Sequence, residues 1–150
     1  MDRSTELGKL SDLARVLRRA SHDLDAAIVT CLGDQGVGRW HVLDAIVGES
    51  GLAMSQLAEA TVLNGASLTR LIDALIADNL VFRKVDDLDR RRVLVFPTRR
   101  GVAEHERMSA ALVDGGLAGL AEASSDITDA VRALTTKPAR RGMSTTTIRG

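Results

Sequence analysis

The feature that most constrains this chain is a change of hydrophobic period at Asn79. Before it, Leu68, Leu71, Ile72, Leu75 and Ile76 stand at i, i+3, i+4, i+7 and i+8, the apolar stripe of one α-helix. After it, Leu80–Val85 and Arg91–Phe96 are rich in β-branched and aromatic residues and flank the polar turn Asp86–Asp89, so they read as a β-hairpin. Asn79 itself tolerates the left-handed backbone that closes a helix. A helix handing directly to a hairpin limits the fold to the few that place a small antiparallel ribbon against a helical body.

The segments upstream narrow the choice. Asn64 offers a side-chain oxygen as N-cap for the helix carrying that stripe. Leu52–Ala60 reads as the preceding helix, packed through Met54, Leu57 and Ala58. Arg39–Val47 reads as a shorter one before it, carried by Trp40, Leu43, Ile46 and Val47 and interrupted by Gly48 and Ser50-Gly51. Two helices joined by a tight turn and followed by a hairpin make a winged helix-turn-helix, mainly α with a small β-hairpin wing (α+β). Leu10, Leu13, Leu17, Ala20, Leu24, Ile28 and Cys31 recur in steps of three and four along a first helix that ends at Gly33, Gly36 and Gly38. So narrow a seam faces a helix, either of a partner chain or of its own chain. After the hairpin, Pro97 stops the strand and Thr98 caps a helix expected to reach roughly to Ala121, weakened by Gly115, Gly116 and Gly119. Ser124 or Ser125 caps a last short helix, Ile127–Leu134.

Composition bounds the function. Hydrophobic residues are 45% and charged residues 27% of the 150, the balance of one folded domain. No apolar stretch approaches the roughly 20 residues that span a bilayer, and Met1-Asp2-Arg3-Ser4 leads into no signal-peptide core, so a cytoplasmic protein is expected. Cys31 is the single cysteine, which rules out an internal disulfide and any zinc site needing two cysteines in one chain. The net charge of zero conceals a strong asymmetry. Between positions 83 and 100 stand Arg83, Lys84, Arg90, Arg91, Arg92, Arg99 and Arg100 against Asp86, Asp87 and Asp89. The final stretch adds Lys137, Arg140, Arg141 and Arg149 with no acid.

These charges bear on what the helix before the hairpin presents. Its stripe turned inward leaves Ala66, Arg70, Asp73 and Ala77 on the far side, flanked by Ser67 and Thr69. The N-terminal half is small and polar and carries free backbone N–H groups, so it fits a major groove with its amides on phosphate and Arg70 reaching a guanine or a phosphate. Asp73 would be repelled by a backbone, so the helix should enter N-terminus first. An amphipathic helix with a solvated face shows the same pattern, and Arg90-Arg91-Arg92 alone reads as a solvated turn. The two together point to duplex DNA, because a projecting arginine loop neutralises phosphates or enters a narrow minor groove.

The stretch Leu57–Gly101 resembles the multiple-antibiotic-resistance repressor (MarR) family of winged-helix regulators. Leu57-Ala58 is similar to its helix-three signature, and Leu68-Thr69-Arg70-Leu71-Ile72-Asp73-Ala74-Leu75 to its recognition-helix core. Asn79-Leu80-Val81-Phe82-Arg83 resembles its Gly-Leu-Val-x-Arg strand. Asp89-Arg90-Arg91, then six residues to Thr98 and two more to Gly101, follows its wing motif without a gap. The chain departs from the family at Asn79 in place of Gly, at Pro97 where an aliphatic residue is common, and in its glycine-rich penultimate helix.

The resemblance implies a homodimer built from the first and last helices and bound to an inverted-repeat operator. It also implies a repressor that releases DNA on binding a small aromatic or phenolic anion. Carried over residue by residue, Asn64, Ala66, Ser67, Thr69 and Arg70 belong to the recognition helix. Arg83, Lys84, Asp89, Arg90, Arg91 and Arg92 belong to the wing, with Asp89 bracing one of its arginines. Leu10, Leu13, Leu17, Leu24, Leu117, Leu120, Ile127, Val131 and Leu134 belong to the dimer. Length gives one domain over 1–136, in which the resemblance implies a DNA-binding lobe at about 39–101 and dimerisation helices at about 7–32 and 98–135; Pro, Gly, Ser, Thr and Arg without periodicity make 137–150 an expected disordered basic tail.

Arg39, Trp40 and His41 are candidates for the effector pocket, with partly buried structural residues as the other reading. No cofactor or metal is expected, and no enzyme, since His22, His41 and His105 lie in separate helices without catalytic or ligand spacing. Cys31 fits the apolar stripe better than a redox sensor. A winged-helix module that binds another protein through the same face is the alternative.

Overall fold

The computed structural model describes residues 2–135; the basic tail expected at 137–150 lies outside them. The elements follow in the order α1 (Arg3–Leu32), α2 (Gly36–Ile46), β1 (Leu52–Ala53), α3 (Met54–Thr61), α4 (Gly65–Ala77), β2 (Val81–Val85), β3 (Val93–Pro97), α5 (Arg99–Asp114), α6 (Leu117–Ala123) and α7 (Ser125–Thr135). Two compact units divide the chain, one running to Leu117 and one from Ala118.

In the first unit, α2, α3 and α4 close on the sheet around one core. Val42, Leu43 and Ile46 of α2, Leu57 of α3, and Leu68, Ile72 and Leu75 of α4 meet Leu80, Val81, Val95 and Met108, all buried. Each such aliphatic side chain contributes about 1.5–3 kcal/mol of burial, so this cluster supplies the main drive to fold the lobe. The helix period and the strand alternation converge on it: the stripe of α4 supplies one wall, and Val81 and Val95 supply the inward positions of the hairpin.

The sheet has three strands in the order β1-β3-β2, all antiparallel. The hairpin pairs Val81 with Pro97 and Val85 with Val93, and Phe82 stacks on its cross-strand partner Phe96 with ring centroids 5.4 Å apart. The return strand begins at Val93 rather than at Arg91, because the turn holds the arginines. Arg92 N–H donates to the Asp89 carbonyl at 2.9 Å, and Arg91 N–H to Asp89 Oδ1 at 3.1 Å.

The helix expected over Leu52–Ala60 is in part a strand. Leu52 pairs with Val95 and Ala53 with Leu94, and α3 starts only at Met54, where Gln56 Oε1 accepts the Ala53 N–H at 2.8 Å. The helix after the wing is shorter than its expected reach to Ala121. It ends at Asp114, Gly115 follows as its C-cap, and Gly116 takes φ +84°, which breaks the helical path before α6. α1 in turn extends further toward the N-terminus than its apolar seam, capped by Asp2, whose side chain accepts the Ser4 N–H.

One junction fixes the wing to the helix behind it. α4 closes with Asn79 at φ 57° and the Leu80 N–H on the Leu75 carbonyl, a Schellman-type stop. Thr98 then returns to that turn: its N–H donates to the Leu80 carbonyl at 3.0 Å, its hydroxyl donates to the Asn79 carbonyl at 2.7 Å and accepts from the Gly101 N–H at 2.9 Å. Gly101 permits the approach, since a Cβ there would lie 1.9 Å from the Leu80 carbonyl oxygen.

Candidate nucleic-acid interface

α4 keeps its outer face open. Asn64 is its N-cap, the side-chain oxygen accepting the Ser67 N–H at 2.9 Å, so that side chain is engaged in starting the helix. Ala66, Ser67, Thr69 and Arg70 are exposed. The Thr69 hydroxyl donates to the Gly65 carbonyl at 2.8 Å, whereas Arg70 makes no ion pair among the described residues. Asp73, one turn further, is held by Arg83 of β2 at 2.8 Å, which ties the helix to the wing. This pairing offsets the carboxylate that would face a phosphate backbone.

The wing cations divide by place. At the root, Arg83 faces Asp73, and Lys84 reaches Asp87 at 3.1 Å. Arg92 lies 3.7 Å from Asp86 and donates to Gln56 Oε1 at 3.4 Å, which links the wing to the start of α3. At the tip, Arg91 is forked on Asp89, Nε to Oδ1 at 3.0 Å and Nη2 to Oδ2 at 3.2 Å, yet its side chain is 90% exposed. Those hydrogen bonds, first from the Arg91 side chain and then from its backbone N–H, hold the Asp89 carboxyl below the usual carboxylate range. Arg90 is exposed and without an ion pair among the described residues. Arg70 and Arg90 are thus uncommitted, Arg91 is pre-aimed, and Arg83, Lys84 and Arg92 brace the scaffold. Neither the Asp73–Arg83 pair nor the Gln56–Arg92 link was legible beforehand; the only signal was a Gln at the third position of a helix.

Arg39, Trp40 and His41 do not converge. Successive helical residues point about 100° apart. Arg39 pairs with Asp78 at the end of α4, while the Trp40 indole N–H donates to Ser109 Oγ of α5 at 3.3 Å. His41 remains beside the Trp40 ring, with centroids 5.1 Å apart. Behind Trp40 a polar chain joins α2 to α5: His105 Nε2 lies 3.0 Å from Asp44 Oδ1 and 3.4 Å from Ser109 Oγ. An open groove of about 740 Å³ runs instead along α1, lined by Ser11, Ala14, Arg15, Arg18, Arg19 and His22.

The residues assigned to the dimer carry unusual apolar exposure. Leu10 is 60% exposed, and Leu13, Leu17 and Leu24 are also open along α1. In the second unit, Leu120, Ile127 and Leu134 are exposed, and Val131 is half-buried, as is Leu117 at the end of the first. Cys31 is half-buried against α5, where a Cβ on Gly115 would come within 2.5 Å of its sulfur. Among the described residues no His/Cys/Asp/Glu group could hold a metal ion, and no helix is long and apolar enough to cross a membrane.

A helix-turn-helix with its second helix exposed and a basic hairpin wing behind it defines a winged helix-turn-helix protein. Residues 35–92 match the family model described as "MarR family". That family is one of transcriptional regulators. Among solved structures, the chain is similar to BpsR of Bordetella bronchiseptica at 23% identity, covering 83% of this chain and 94% of that one, with a TM-score of 0.71. It is similar to apo MarR from E. coli at 22% identity, 81% and 93% coverage, and a TM-score of 0.66. The transcriptional repressor CouR, bound to a 23-mer DNA duplex, is 22% identical with 85% and 93% coverage and a TM-score of 0.66. These likenesses concern the fold. No curated protein matches the chain in sequence.

Proposed function

We propose that the protein is a sequence-specific regulator of transcription that binds duplex DNA as a homodimer and acts as a ligand-responsive repressor on an inverted-repeat operator. One observation carries this reading: α4 exposes Ala66, Ser67, Thr69 and an uncommitted Arg70 while Asp73–Arg83 ties it to a wing with Arg90 and Arg91 at its tip. The helix reads the major groove, and the tip meets the adjacent phosphates or minor groove. The exposed leucines of α1 are apolar surface for a second copy to cover, and so, in the second unit, are the apolar residues of α7. CouR bound to a DNA duplex, and BpsR, whose DNA binding is described as regulated by 6-hydroxynicotinic acid, support both the DNA and the effector parts. The effector is a small aromatic or phenolic anion, and it works by favouring a spacing of the two recognition helices that misses successive grooves, within the limit of its differential affinity for the two states.

Selection of duplexes from a random pool, with sedimentation of the free protein, tests the proposal. The expected product is an inverted repeat with half-sites about one helical turn, roughly 10 bp, apart. A monomer at micromolar concentration, or a pool that never enriches, would defeat it and leave the protein-binding module as the better reading. Aromatic carboxylates screened against the protein–DNA complex test the effector.

A further inference from the structure

Val62 closes α3 at φ 56° and ψ 25°, in the left-handed region. Among the described residues the other non-glycine residue in that region is Asn79, whose side chain tolerates it, whereas a β-branched valine is disfavoured there by contact between its Cβ and the backbone. Packing gives nothing back. The next residue, Leu63, turns against the core, while Val62 is 89% exposed. Among the exposed large hydrophobic residues that the structure describes, only Leu88, at the wing tip, is more open at 97%, and the next, Ile127, is at 65%. Val62 thus holds a strained backbone and an apolar side chain in water at the turn between the two helices, two residues before the Asn64 cap of α4.

We propose that Val62 is a specificity-determining contact residue, its methyl groups covered by an apolar surface of the duplex at the lip of the major groove. This rests on the DNA-binding reading above. A recognition helix that enters N-terminus first carries the preceding turn to the groove edge. The apolar surfaces there are the thymine 5-methyl group and the face of a deoxyribose. Either one removes the methyls from water only in the complex.

The test compares Val62→Gly and Val62→Asn with the unaltered protein on a duplex that the latter selects from a random pool. Both substitutes accept positive φ, so the thermal midpoint should hold or rise. Affinity should fall about three- to tenfold, the worth of covering much of a valine side chain. The salt slope should not change, since no charge moves. Deoxyuridine in place of thymidine separates the two surfaces. A loss in the unaltered protein but not in the variants assigns the methyl group, and equal weakening of the variants on both duplexes assigns the sugar. Undiminished affinity in both variants overturns the proposal alone. So does a loss in the glycine variant that asparagine restores, which would make turn rigidity the cause, or an altered salt slope, which would mean a displaced α4. Failure of the unaltered protein to select any duplex overturns the DNA-binding reading and this proposal together.

Discussion

Under the proposed function, Arg70 and Asp89 separate recognition from support at the level of single side chains. Arg70 stands opposite the stripe of Leu68, Ile72 and Leu75 and has no ion-pair partner among the described residues. Arg70→Ala should therefore weaken operator binding by about 1–3 kcal/mol and leave the melting temperature nearly unchanged, read by titration and thermal denaturation on the same preparation. Asp89 poses two opposed effects. Its removal makes the wing tip more positive, which favours any polyanion, but it also frees Arg91 from its fork. Asp89→Asn is expected to raise affinity for random DNA while lowering the ratio of operator to random binding, because charge acts on every sequence and aim only on the right one. An unchanged ratio would mean that Arg91 needs no brace. The sign of the pH dependence follows from the lowered carboxyl. Asp89's contribution is complete above the ordinary carboxylate value and is lost as pH falls through the depressed folded one. Between about pH 6 and 8 it should stay constant.

Elements meet at junctions with little tolerance. The first turn of α5 is set against the turn that closes α4, with Thr98 bonded to both Asn79 and Leu80 and Gly101 in contact with the Leu80 carbonyl. Gly101→Ala must push backbone away from backbone, so the cost should reach or exceed the range of about 1–3 kcal/mol for an overpacked site. The melting temperature should fall by several degrees, on the scale of about 2–4 °C per kcal/mol for a chain of this size. Because that junction sets the root of the wing, DNA affinity should fall with it, unlike the outcome for Arg70→Ala. The Asp73–Arg83 pair works between elements in another way. Both partners are substantially exposed, at 58% and 38%, so the pair adds little to stability. Its consequence is the angle between recognition helix and wing.

At the scale of the whole molecule, zero net charge coexists with a basic wing because arginines gather on one hairpin, which is what the proposed binding of a polyanion needs. Arg90→Ala and Arg91→Ala should each lower the slope of affinity against salt by about 0.9; the first should weaken operator and random DNA alike, and the second, which also removes an aimed side chain, should weaken the operator more. Greater loss on A·T-flanked sites for Arg91 would place it in a narrow minor groove. An unaltered slope in both would show that the wing does not touch DNA. The exposed seam of α1 makes a separate demand. Leu13→Glu with Leu17→Glu, both outside the buried core, should leave the lobe folded and yield a monomer in sedimentation, with DNA affinity falling steeply as the two half-sites uncouple. A dimer that survived both changes would place the interface elsewhere.

By itself the sequence determined what a few neighbouring residues can decide. The stripe of α4, the Asn64 cap, the left-handed stop at Asn79, the hairpin and the Thr98 cap all rest on interactions spanning about one turn or one strand pair, and each stands in the structure. The exposed residues of the recognition helix followed from that stripe. The tertiary structure decided whatever depends on a distant partner. Leu52 and Ala53 form a strand because β3 is there to bond them, a pairing that no local period encodes. Among like-looking arginines, Arg39, Arg83 and Arg92 are drawn to Asp78, Asp73 and Gln56 from other elements. Charge type is written in the chain, but which cation stays free is settled by whether folding brings an acceptor within reach.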